Sequence, residues 1–219
     1  MLTATSAQAQ TIAPIDRGWY DSVGSHTTTN ENVIVGITDA GTVHRNWFVF
    51  AIPSGTYTSA TIAFQLKPFA PSGFGLAGQY QSTDPTETYE MFDVNTSTAS
   101  LIGGTGGVAA YNDFGTGTSY GSRVFSAADN NTTVIFTLNA SALADINSAA
   151  GGNFAIGGVL QTATANGQTL FSFSATTGEL SSSSLVLSAA SVVPEPGTLA
   201  LLGLGMLPMV GILVRRRHS

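Results

Sequence analysis

Cysteine is absent from all 219 residues, which excludes disulfides, thiolate chemistry and Cys-liganded zinc. Charge is scarce as well, at 9% of residues. Lysine occurs once, at Lys67, and three of the seven basic side chains stand together at Arg215, Arg216 and Arg217. Four basic groups therefore remain upstream of that cluster, against thirteen carboxylates. Phosphate binding needs a basic footprint, so nucleic acid is not expected as a partner. Histidine is limited to His26, His44 and His218, too few and too scattered for a local metal-ligand spacing. No lysine follows the glycine-rich residues 102–107, which excludes a phosphate loop and leaves a turn.

In place of charge the chain has Gly, Ser and Thr between short alternating apolar segments. Residues 42–52 alternate most strongly, and their C-terminal half is apolar on both faces, as in a central strand. Residues 32–37, 56–66, 86–94, 108–111, 120–127, 132–138, 154–160, 169–175 and 185–189 read as further strands. Residues 140–149, after the cap residue Asn139, read as the single helix, with Leu143 and Ile146 three apart on one face. Eight to ten strands with one helix predict an all-β domain, an antiparallel β-sandwich of jelly-roll-like form. A parallel sheet would need a helix at each crossover.

The C-terminus differs from all of this. Pro194, Glu195 and Pro196 precede the uncharged residues 199–214, and Arg215, Arg216 and Arg217 follow. Sixteen residues at about 1.5 Å each span about 24 Å, which predicts a short transmembrane helix with the arginines held at the cytoplasmic headgroups. At the other end, Ala7-Gln8-Ala9 has the small-x-small form of a secretory cleavage site. Residues 1–6 lack the basic and apolar regions that precede such a site. The expected organisation is thus a truncated signal-peptide remnant (1–10), a β-sandwich ectodomain (11–190), a Pro-Glu-Pro linker (191–198), a membrane helix (199–214) and a basic cytoplasmic tail (215–219).

The order Pro-Glu-Pro, short apolar helix, arginine cluster, terminus resembles the PEP-CTERM sorting signal of exported bacterial proteins. The resemblance implies an exosortase-type processing enzyme as partner, with Pro194, Glu195 and Pro196 as its recognition residues. It also implies an inner-membrane precursor stopped by Arg215, Arg216 and Arg217, and an ectodomain that is periplasmic, extracellular or released to the surface or matrix. Arg17-Gly18-Trp19-Tyr20, residues 45–50, 111–115 and 118–121, and residues 154–158 are similar to an uncharacterised ectodomain of some such proteins, covering residues 15–190, which brings no activity with it.

For the ectodomain the expectation is a non-enzymatic surface or matrix-associated structural protein. The alternative is a carbohydrate-binding module or glycan-processing enzyme acting on extracellular polysaccharide. Trp19, Tyr20, Trp47 and Tyr120 are the candidate glycan-stacking aromatics, and of Trp47 and its neighbour Phe48 one is expected to be exposed. No cofactor is expected apart from a structural calcium ion, for which Asp84, Glu87, Asp113 and Asp129 are candidate oxygen ligands. Glu87 and Asp93 share a strand face, but six residues of extended strand separate them by about 20 Å, too far for a glycosidase pair.

Overall fold

The strongly alternating segment forms the strand on which the domain is built, β4 (Val43–Ala51). The computed structural model describes residues 9–30, 32–66, 79–171 and 183–189. Ala7, Pro194, Glu195, Pro196, the apolar run 199–214, and Arg215, Arg216 and Arg217 lie outside them. Among the described residues no helix is long and apolar enough to cross a membrane.

The other strands are β1 (Ala9–Ile12), β2 (Asp16–Asp21), β3 (Val35–Ile37), β5 (Tyr57–Gln65), β6 (Glu87–Asp93), β7 (Ser119–Phe125), β8 (Thr133–Thr137), β9 (Asn153–Leu160), β10 (Gln168–Leu170) and β11 (Ser183–Ala189). All described pairings are antiparallel. One sheet has the order β1-β11-β5-β8; the other has β10-β3-β4-β9-β6-β7, with β2 also on β4. The division into four and seven strands departs from the eight-strand jelly roll, because β2, β3 and β10 enlarge the second sheet.

The core lies between the sheets. Phe48, Phe50, Tyr89, Met91 and Ile156 from the larger sheet meet Ile62, Phe64, Val134, Phe136, Leu185 and Leu187 from the smaller. Fully burying each such side chain stabilises by about 1.5–3 kcal/mol. In β8 the inward Val134 and Phe136 alternate with exposed Thr133, Ile135 and Thr137, as expected of a sheet covered on one side.

β4 behaves differently, being buried continuously from Asn46 to Phe50. Its second face is covered by α1 (Thr98–Ile102) and α2 (Gly107–Asp113). Trp47 and Val49 pack there with Tyr20, Leu101, Ala110 and Phe114. Trp47 and Phe48 are therefore both fully buried, on opposite faces of one strand, and neither is exposed. The expected single helix is present as α3 (Ala140–Ser148), with Asn139 accepting from the Ala142 N–H. Residues 108–111, expected as a strand, belong to α2, and with α1 the described α-helices number three.

The strand ends fix the orientation of the domain. Ala9 pairs with Ser188 and Tyr57 with Ala189. Residues 52–56 join β4 to β5, so the end of β4 lies at the same rim as Ala9 and Ala189. The start of β4, at Val43, lies at the opposite rim.

Candidate functional site: a cleft at the start of β4

At that far rim a cleft of about 210 Å³ opens beside the first residues of β4. Its lining includes Gly36, His44, Arg45, Tyr111, Leu160 and Gln161. β3 and β4 bring Gly36 and His44 together by direct pairing. Gly36 has φ +109°, and a Cβ there would collide with the Gln168 carbonyl, so only glycine lets β10 approach β3 here. α2 supplies Tyr111, whose ring lies under the Arg45 guanidinium at 4.4 Å from Cζ to centroid. Arg45 Nη1 donates to the carbonyls of Tyr111 (2.9 Å) and Asn112 (3.2 Å) near the C-terminal end of α2, where a cation also complements the helix dipole.

Next to the cleft stands an aromatic cluster. Trp19 meets His44 edge-on at 4.8 Å and His26 at 6.0 Å. His26 stacks on Tyr20 at 4.8 Å, and its Nδ1–H donates to the Trp19 carbonyl at 2.7 Å, which fixes the neutral tautomer. Burial holds the pKa of both His26 and His44 below the ordinary histidine value, opposed by hydrogen bonds to backbone carbonyls and by Asp16 and Asp21 respectively.

The candidate stacking aromatics do not form an exposed platform. Tyr20 and Trp47 are fully buried and Tyr120 is 2% exposed; Trp19 alone is half-buried. The reason is structural employment. The Tyr20 hydroxyl donates to the Ser100 carbonyl (3.3 Å) and accepts from the Gly106 N–H (3.1 Å), joining α1 to α2. Tyr120 donates to Asp145 Oδ2 at 2.6 Å, holding α3.

The candidate calcium ligands likewise do not assemble as a set. Asp84 and Glu87 share one corner: the Ser82 hydroxyl accepts from the Asp84 N–H (3.0 Å) and donates to Glu87 (2.7 Å). Glu87, 1% exposed, also accepts from Thr162, and Asp84 accepts from Gln168. Asp113 instead holds Thr96 through two bonds, and Asp129 pairs with Arg123 at 2.8 Å. Among the described residues no three His, Asp or Glu side chains converge on a metal position.

One motif went unread in the sequence. Gly117-Thr118-Ser119-Tyr120-Gly121 has the Gly-x-Ser-x-Gly spacing of a hydrolase nucleophile elbow, which requires a serine on a turn from strand to helix. Here Ser119 opens β7, and its hydroxyl donates to Glu90 at 2.6 Å, so the context of an elbow is missing. Arg45 and Tyr111 were also missed as partners, since 66 residues separate them and no local pattern links them.

Fold and site together define an antiparallel β-sandwich domain with a helical cover on one sheet and a small polar cleft away from its chain ends. Residues 192–217 match the PEP-CTERM protein-sorting motif, which marks an exported protein sorted by an exosortase. No curated protein matches the chain.

Proposed function

We propose that this chain is an exported, non-enzymatic surface or matrix-associated structural protein, held in the inner membrane by residues 199–214 until processing near Pro194, Glu195 and Pro196 releases the sandwich. The match of residues 192–217 to the sorting motif carries the reading. The burial of three of the four candidate aromatics, with Tyr20 and Tyr120 bonded to the helices, supports a packing role for these residues.

Intact mass and fractionation of the product from an exosortase-bearing host test this. The expected product has lost the segment beyond the Pro-Glu-Pro residues and has left the membrane fraction. Retention of Arg215, Arg216 and Arg217 in the inner membrane would sink the processing step, and a full-length cytoplasmic product would sink export.

A second reading, a module that binds extracellular polysaccharide, is favoured by one observation. The cleft beside Arg45 joins a guanidinium and the Gln161 amide to apolar walls at Ile37, Val43 and Val159, a mixture of polar and apolar groups that suits a sugar.

A further inference from the structure

Arg45 is built as a fixed fork with one edge left open. A guanidinium carries five N–H donors in a rigid plane. Nη1 is occupied by the carbonyls of Tyr111 and Asn112. One face lies on the Tyr111 ring, and Gly115 admits the group closely, since a Cβ at 115 would fall 2.7 Å from Cζ and Nη1. No described residue accepts a hydrogen bond from Nε or Nη2, and no described carboxylate forms an ion pair with Arg45. Arg123, by contrast, is paired with Asp129, and Arg17 is 3% exposed.

An Nε/Nη2 edge presents two parallel donors, the geometry that recognises a carboxylate through both oxygens. Because Nη1, the ring and Gly115 already hold the plane, little side-chain freedom remains to be lost on binding. The cleft of about 210 Å³ is smaller than the roughly 300–1,000 Å³ of sites for drug-sized ligands, and therefore suits a single small body. Its mixed lining, polar at Gln161 and apolar at Ile37, Val43 and Val159, suits a ring that has hydroxyls and C–H faces together. Glu90 stands beside Val159 at the margin, with its oxygens taken by Ser119 and Gln161.

We infer that the open edge of Arg45 binds the carboxylate of an acidic sugar, a uronate, seated in the cleft at the start of β4. The inference rests on the second reading above, binding of extracellular polysaccharide. The uronate comes either free or as a residue of an acidic polysaccharide.

Calorimetric titration of the full-length chain in neutral detergent with glucuronate, glucose, glucosamine and a uronate trisaccharide tests the inference. Glucuronate is expected to bind at one site, at least about tenfold more tightly than glucose, and more weakly as salt is raised. Arg45→Lys keeps the charge and loses the fork, so the preference for glucuronate over glucose is expected to vanish. Ala163→Trp leaves Arg45 in place and fills the cleft, so binding itself is expected to be lost; thermal melts verify that both variants are folded. A trisaccharide that binds more tightly than the monosaccharide indicates the polymer as source, and equal binding indicates the free sugar acid. Equal affinity of wild type for glucuronate and glucose, preference for glucosamine, or unchanged binding by Ala163→Trp overturns the inference. Pull-down on neutral polysaccharide separates the two claims: retention there with no glucuronate binding leaves the second reading standing and removes the uronate cleft.

Discussion

Asn46 is an amide at the centre of the strand on which everything packs, and it is fully buried. Its Nδ2 donates to the Val33 carbonyl (2.9 Å) and its Oδ1 accepts from the Tyr89 hydroxyl (2.8 Å), so both ends are satisfied. Asn46→Ala would strand a carbonyl and a hydroxyl in the core and is expected to cost about 2–4 kcal/mol in denaturant unfolding. Tyr89→Phe leaves a single acceptor unpaired and should cost about half as much. Gly158 completes the trio, because a Cβ there would meet the Tyr89 hydroxyl and Asn46 Oδ1; Gly158→Ala is expected to destabilise by about 1–3 kcal/mol through overpacking. The histidines give a pH prediction. Burial lowers the folded pKa of His26 and His44 below 6.5, so the unfolded chain takes up protons first as pH falls. Their contribution is fully present above the unfolded value and is lost as pH drops through 6.5 toward the depressed folded values. The urea midpoint should therefore be lower at about pH 5.5 than at about pH 7.5, and the difference should shrink in the His26→Asn, His44→Asn double variant. An unchanged difference in that variant would assign the effect to other groups.

At the scale of elements, the short helices α1 and α2 are stable only as a cover. Each is far below the length at which an isolated helix persists in water, and each buries one residue against β4, Leu101 and Ala110. Leu101→Ala is expected to cost about 2–5 kcal/mol. Tyr20→Phe, which removes the hydroxyl bridge between the two helices, is expected to cost about 1–2 kcal/mol. Hydrogen exchange should show both variants losing protection in residues 98–113 before the sheets do. A second joint is the 3-10 turn Ala127–Asp129 between β7 and β8. There Asp129 completes a capping box with Ser126 and pairs with the partly buried Arg123. Asp129→Ala removes cap and pair together and is expected to cost about 1–2 kcal/mol, read as a shift in thermal midpoint. These elements also show where periodicity is informative. β4, β5, β6, β8 and α3 have enough alternating or helical repeat to be legible. The residues 108–111 do not, because four residues carry neither period, and their helical state is decided by the Trp47 and Val49 face they cover.

For the whole molecule, the decisive feature is that Ala9 and Ser188 are partners. The ends of the described domain are therefore about 5 Å apart across one pair of strands. A circular permutant that joins 189 to 9 through a short Gly/Ser linker and opens within residues 164–166 is expected to fold, with the far-UV spectrum and a single cooperative transition of the parent. A non-cooperative product would show that residues Ala9–Ala189, which form one compact unit, depend on the rest of the chain.

The sequence by itself determined the sorting motif and the all-β class. The sorting segment is contiguous, so its residue order within 192–217 is its signature, and alternation with period two is set by the strand backbone alone. Tertiary structure alone decided which faces are covered and which residues meet. Trp47 and Phe48 are both buried because a second layer lies over β4, a fact that no pattern within β4 encodes. Arg45 meets Tyr111 because α2 folds back onto the far rim, and a contact across 66 residues is a property of packing rather than of spacing.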